Sequence, residues 1–306
     1  MPMISTKFFF LIFIFTIFLS NCSSKRIEQN FIDSLAGKFS SNQSNVIRGE
    51  EDPELLGDAM PFMLKMLEIM SESSPKNVNI KTSLAQGFTV YGSLWLENEA
   101  LINEDDHYEY SEHLKNRAKQ LFYRAWHYGF QGLNMQYPGF SEKIKNDLSV
   151  LTIMNKSDVP LLTWTGLAMV SWIKHSSDSA DAISELPKAV SMINKAFDLD
   201  PEYGEGVLYE FFIYYDSEQM NSVDKKKQLI DYRDKIISDS GNNKCSPYLT
   251  WASAISIKTQ NKSEFIKMLA EGLKIDVDKR PEYRLSNKIC QKMSKWYLTK
   301  IDDFFL

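Results

Sequence analysis

Four stretches of the sequence set core-type residues at offsets 0, 4 and 7. Ala189, Ile193 and Ala196 do so, with Pro201 at offset 12. Ala118, Phe122 and Ala125 repeat the spacing, with Phe130 where that proline would stand. Met63, Leu67 and Met70 keep it and are followed by Pro75, while Phe265, Leu269 and Gly272 keep the first three positions. Such offsets fall on one face of an α-helix. A small residue there lets a paired helix approach closely, and a large one fills the gap beside it. One such helix cannot bury its face alone, so neighbouring pairs must stack. Alternating runs bounded by hairpin turns are missing, which removes the strand signal. The chain is therefore read as all-α: a TPR-like helical repeat, an α-solenoid-like bundle of paired antiparallel helices.

Turn and cap residues place the elements. A short helix is expected near Phe31, Ile32, Leu35 and Phe39, then a loop from Ser40 to Asn45. Asp52 is suited to cap a helix running from Pro53 to about Ser71, because an aspartate caps free N–H groups and proline suits a first turn. Further helices are expected over about Ile80 to Asn103 and Tyr110 to Leu133. Tyr137-Pro138-Gly139 is a break. Pro160 opens an apolar helix to about His175, and another ends at Asp198 before Asp200-Pro201. The spacing predicts the rest over 202–216, 222–239, 247–259, 262–275 and 281–305.

The first 21 residues set the compartment. Lys7 is their only charge, and Phe8 to Leu19 is apolar apart from Thr16. Twelve helical residues span ~18 Å against a hydrocarbon core of ~30 Å, which is too short to cross. A positive start, a short apolar core and small polar residues describe an export signal. Leu19-Ser20-Asn21-Cys22 resembles a bacterial lipobox, which implies acylation at Cys22 and a new N-terminus there. Two or more acyl chains hold a protein stably on a membrane. The expected organisation is 1–21 signal peptide, 22–48 acylated N-terminus, tether and short helix, and 49–306 a single TPR-like helical domain.

Charge and cysteine content narrow the function. The formal net charge is −5 and no block of five like charges occurs, so nucleic acid is not an expected partner. Besides Cys22 only Cys245 and Cys290 remain. They are read as two separate helix cysteines acting as small hydrophobes, although an oxidising compartment would allow pairing.

Catalytic constellations do not emerge. Glu104, Asp105, Asp106, His107 and His113 form the densest group of metal-type ligands, but they read as a solvated acidic turn entering a helix. Glu50, Glu51, Asp52 and Glu54 read as acids favouring a helix N-terminus rather than as an acid/base pair. No phosphate-binding loop, dinucleotide fingerprint or nucleophile elbow occurs. The chain is expected not to be an enzyme, and no cofactor is expected. A hydrolase reading would rest on carboxylates and histidines such as Glu50 and His113 alone. Phe88, Tyr91 and Trp95 lie at i, i+3 and i+7, with Trp126, Tyr128, Trp164 and Trp172 further on. Aromatics at this spacing usually pack in a core; facing a cleft, they would wall a small-ligand site. Phe88, Tyr91, Trp95, Arg124 and Trp126 are the candidate ligand contacts, with Gln86 and Asn98 as further polar groups.

Particular residues carry a family resemblance. Gly49 to Phe62 (GEEDPELLGDAMPF) resembles the hallmark segment of the TRAP-transporter-associated T-component lipoproteins, TatT. Within it stand Glu50, Asp52, Pro53, Asp58 and Pro61. Ile32 to Gly37, Ala85 to Tyr91 and Arg117 to Ala125 are similar to the first three helices of that family. Pro281 to Asn287 (PEYRLSN), with Arg284, and the stretch from Trp296 to Phe305 resemble its C-terminal helix. Where members often have a Gly-Gly turn, this chain reads MNSVDKKKQ from Met220. The resemblance implies a periplasmic, lipid-anchored partner of a TRAP-type solute-binding protein. It also implies homotrimers, and help in passing a small organic ligand, acidic or apolar. Localisation is expected on the periplasmic face of a bacterial membrane, with the outer membrane slightly favoured because Ser23 follows the cysteine. The alternative is a TPR-type scaffold lipoprotein in envelope assembly.

Overall fold

The computed structural model describes residues 45–218 and 222–305. Cys22, the expected helix near Phe31 to Phe39 and the start of the stretch at Met220 lie outside the described residues. Every regular element among the described residues is helical. None of these helices is long and apolar enough to cross a membrane.

After a short turn at Asn45–Arg48 the main helices are α1 (Pro53–Ser73), α2 (Val78–Tyr91) and α3 (Tyr108–Gln136). Then come α4 (Val159–Lys174), α5 (Leu186–Leu199), α6 (Val207–Ser217), α7 (Val223–Asp239), α8 (Ser246–Trp251), α9 (Lys262–Leu273) and α10 (Arg284–Thr299). The cap at α1 is as expected: Asp52 accepts from the N–H of Glu54 at 2.9 Å and of Leu55 at 3.1 Å.

Three expectations are adjusted. The helix expected from Ile80 to Asn103 is interrupted by a π-helical stretch, Gly92–Glu97, before it resumes at Asn98–Ile102. The helix at 247–259 likewise passes from α8 into a π stretch, Ala252–Ser256. Between Gly139 and Pro160, where no element is expected, the chain forms a helix at Phe140–Asn146 and 3₁₀ turns at Leu148–Ile153 and Lys156–Asp158. These pieces are too short to show a periodicity.

Successive helices pack antiparallel, most of them against the next. The 0-4-7 residues lie at the contacts. Ala118, Phe122, Ala125, Ala189, Ile193, Ala196, Phe265 and Leu269 are all fully buried. Glycines allow the closest approaches: a Cβ on Gly57 would run into the Trp95 indole, and one on Gly166 into Ile193. Phe197 of α5 joins the next pair through Tyr209 and Phe212 of α6 and Tyr232 of α7.

The stack then closes on itself. Helix α10 returns to α1, and Asn45–Arg48 packs on its start. Arg284 donates to the Gly49 carbonyl at 3.1 Å, and Lys288 to the Glu51 carbonyl at 2.5 Å. Arg48 donates to the Glu282 carbonyl at 3.0 Å. Lys300 reaches Asp105 at 2.7 Å. The two family-like segments, Gly49 to Phe62 and Pro281 to Asn287, thus meet at one seam.

One sequence reading is corrected here. Cys245, just before α8, and Cys290 on α10 are not separate hydrophobes; they form a disulfide across 45 residues. Ring closure brings them to a Cα separation of 6.0 Å, a proximity that their spacing does not reveal.

Candidate functional site

Ionisable groups with shifted titration lie on the first π stretch, α6 and α10. The π stretch after α2 ends in Glu97, whose Oε1 accepts from Lys174 Nζ at 2.9 Å and faces His175 Nε2 at 2.7 Å. Burial pushes the Glu97 carboxyl up, but His175 and Lys174 outweigh it and hold it below the usual carboxylate range. The second π stretch carries Ser253, whose hydroxyl lies 2.5 Å from that of Tyr214 on α6. Tyr214 is 48% exposed, yet burial pushes its hydroxyl up, helped by the charges of Glu210 and Glu97. Burial also raises Tyr297 of α10, with Tyr214 adding to it. Tyr214 thus stands in the field of Glu97, and Tyr297 in that of Tyr214. Single π bulges are frequent at functional sites; here one supplies Ser253 against Tyr214 and the other Glu97, whose charge acts on Tyr214.

Glu97 gives a pH test. Its folded pKa is depressed, so its stabilisation is present above the unfolded value and lost as pH falls through the folded one. Glu97→Gln is expected to unfold more easily than wild type at pH 7, by about 1–3 kcal/mol for a charge-assisted pair removed from a largely buried place. The gap closes as pH drops below the ordinary carboxylate range. Denaturant midpoints at pH 7 and pH 3 check it; an equal gap at both would refute the ion-pair role.

At the seam, three recesses adjoin. An apolar slot of about 130 Å³ lies between α1 and α2, lined by Leu56, Met60, Met63, Leu64, Leu67 and Trp95. Methionine-rich walls adapt to irregular shapes. The slot shares Gln86, Val90 and Leu285 with a chamber of about 250 Å³ that ends at Arg48, Lys244 and Tyr283. That chamber shares Glu205, Lys244 and Tyr283 with a third recess of about 270 Å³. Lys244 is buried; its Nζ donates to the Glu205 carbonyl at 2.5 Å and lies 5.3 Å from the Tyr283 ring centre. Burial pushes its pKa down, against the pull of Glu210 and Glu205. Burial raises Glu210, although Lys244 and a 2.6 Å bond from Ser246 oppose it. Glu205 holds φ +56° between Gly204 at +67° and Gly206 at +109°. A left-handed non-glycine residue costs about 1 kcal/mol or more and often marks a site.

The sequence candidates are split among these places. Trp95 lines the slot, its indole N–H donating to the Pro53 carbonyl at 2.8 Å. Phe88, Tyr91 and Arg124 instead line a recess between α1 and α3, on the other side of Leu64 from the slot. Trp126 packs among Tyr123, Phe130 and Trp172. Of the family-like residues, Glu50 accepts from the N–H groups of Glu51 and Asp52, while Asp58 and Pro61 are exposed. Pro281 opens a 3₁₀ turn, Arg284 bridges the seam, and Asn287 is buried in it. Sequence reasoning misses Lys244, Glu210, Tyr214 and Glu97. A lysine and a glutamate beside apolar runs (Lys244 next to Cys245, Glu210 inside VLYEFFIYY) are the only signal for them.

Among the described residues no group of three His, Cys, Asp or Glu is placed to hold a metal ion. In the acidic turn, Glu104 pairs with Lys115 and Asp105 with Lys300, both at 2.7 Å.

Comparison with known proteins agrees with the ordered segments. A protein of Treponema pallidum (strain Nichols), described as uncharacterized, is 23% identical over 306 residues, covering 94% of each chain. The TRAP transporter T-component family (TAtT) matches residues 49–305, a span that runs from one side of the seam round the ring to the other. This chain belongs to the TRAP transporter T-component family.

Proposed function

We propose that this chain is a lipid-anchored periplasmic protein that associates with a TRAP-type solute-binding protein and assists uptake of a small organic ligand, acidic or apolar. Family membership over residues 49–305 carries the reading. The recesses at the seam support it. The apolar slot suits a hydrocarbon part, and the chamber beyond sets Lys244 and Arg48 where an acid group would lie. Trp95 is the sequence candidate that belongs to this path.

In this reading residues 1–21 direct export and are removed. Cys22 is acylated, 22–48 tether the protein, and 49–306 form the helical domain. The protein stands on the periplasmic face, at the outer membrane by preference, as a homotrimer, and works by binding rather than by catalysis.

The test is a pull-down from the parent cell's periplasm, with the full mature chain as bait and mass spectrometry of what binds. Cells fed labelled palmitate in parallel are expected to label the wild type and not Cys22→Ser. A TRAP-type solute-binding protein among the specific hits is the expected result. Specific hits confined to envelope-assembly proteins would sink the transport reading and favour a scaffold.

A further inference from the structure

The outer face of α1 is apolar where a surface helix is ordinarily polar. Leu55, Phe62, Met66 and Ile69 are 60%, 69%, 42% and 56% exposed. With the half-buried Ala59 they follow one another at intervals of 4, 3, 4 and 3 residues. A period of 3.5 is the spacing of a helix that packs lengthwise on another. The opposite face of α1 already fills the core with Leu56, Met60, Leu64 and Leu67. The stripe is therefore a second apolar face, not a spare edge of the first.

Two adjoining recesses lie beside it. The nearer, about 190 Å³, has an apolar floor that includes Phe88 and Leu121. The farther, about 690 Å³, runs along α3 past Tyr123 and is walled by Trp172. They share Gln120 and Arg124. The charged residues lining them are Lys65, Arg117, Lys119 and Arg124, and no carboxylate lines either. In a chain of net charge −5 this is a local reversal of sign. Glu68, set behind them, pairs with Lys65 at 2.6 Å and Arg124 at 3.5 Å. Arg117 and Lys119 have no polar partner among the described residues.

We propose that this α1–α3 face is the docking surface for the solute-binding protein, which meets it with an apolar ridge flanked by carboxylates. The proposal rests on the functional reading above. Charge decides between occupants. A second copy related by a two-fold axis would set Arg117 and Lys119 against their own like charges, whereas a homotrimer joins unlike faces and is separated from the partner by the self-association readout below. A flat anionic membrane would cover the stripe but leave the floor at Phe88 and Leu121 unfilled. An acidic protein ridge satisfies the stripe, the recess and the charge together. Exposed aromatic and arginine side chains at such a centre are the residue types that dominate interface energies.

The test uses the full mature chain in detergent and the purified solute-binding protein of the same cell, with affinity measured at low and moderate salt. R117E with K119E, and separately F62A with I69A, are each expected to weaken binding at least tenfold. The charge variant is also expected to flatten the salt dependence. K227E on α7 is the control and is expected to bind like wild type. Thermal unfolding of all variants excludes misfolding as the cause. Wild-type binding with every variant within twofold would overturn the surface while leaving the functional reading intact. No binding by the wild type would overturn both. Loss of self-association, or of binding to anionic vesicles, with partner binding unchanged would assign the face to a second copy or a membrane and overturn the proposal.

Discussion

Replacing Cys245 and Cys290 together by alanine is expected to lower the unfolding temperature by roughly 10 °C, at about 2–4 °C per kcal/mol for a chain of this size. The disulfide closes 45 residues. In the chain-entropy account that is worth ~4 kcal/mol, because the cross-link removes freedom from the unfolded chain. Both sulfurs are buried, so the bond holds α8 to α10 inside the seam rather than at its rim. Reductant is expected to shift the wild type by a similar amount and the double variant not at all. Thermal scans with and without reductant check this. Two reactive thiols counted in unfolded, unreduced protein would refute the bond.

Asn287→Leu is expected to cost about 2–5 kcal/mol, read as a lowered denaturant midpoint with an unchanged slope. Asn287 is 1% exposed and uses both ends of its amide. Its Oδ1 accepts from the Cys245 N–H at 2.9 Å, and its Nδ2 donates to the Asn243 carbonyl at 2.8 Å. Leucine has nearly the same size, so the loss is not one of volume. It leaves a donor and an acceptor buried without that partner, each worth about 1–3 kcal/mol. Lys292→Ala, one turn on, removes only an exposed pair with Glu54 at 3.6 Å and is expected to change stability by less than about 1 kcal/mol. A shift at Asn287 no larger than that at Lys292 would remove the amide from the seam's account. Asn287 and Cys290 share a helix turn, so combining the variants should not give the sum of their effects.

What the sequence reveals follows from the range of each signal. Asp52-Pro53 and the 0-4-7 spacings act within one helix turn or two, and the helices they mark are found. The π stretches were hidden because GSLWLE and ASAIS have the composition of ordinary helix; what changes is one residue of register. Tyr214 was hidden for a different reason. Helix α6 is apolar nearly all round, so nothing in VLYEFFIYY tells which ring meets the second π stretch. The seam joins Arg284 to Gly49 across 235 positions, and only the family resemblance pointed to both ends. The aromatic candidates shared one helix face in part, yet Trp95 falls beyond the start of the π stretch and turns to the slot, while Phe88 and Tyr91 are buried beneath the recess between α1 and α3.

The closed ring has a consequence for the order of folding. An open stack of helical pairs is nearly one-dimensional, so it can nucleate anywhere and fray from either end. Here the last helix covers the first, and neither terminal pair has a free outer edge along the seam. The chain grows from its N-terminus, so the surface of α1 that awaits α10 stays uncovered until almost the whole polypeptide has been made. Contacts across 235 positions also raise the mean sequence separation well above that of an open repeat, which slows the final step. Once made, that step turns a row of semi-independent pairs into a unit that must open at the seam before any pair can peel away.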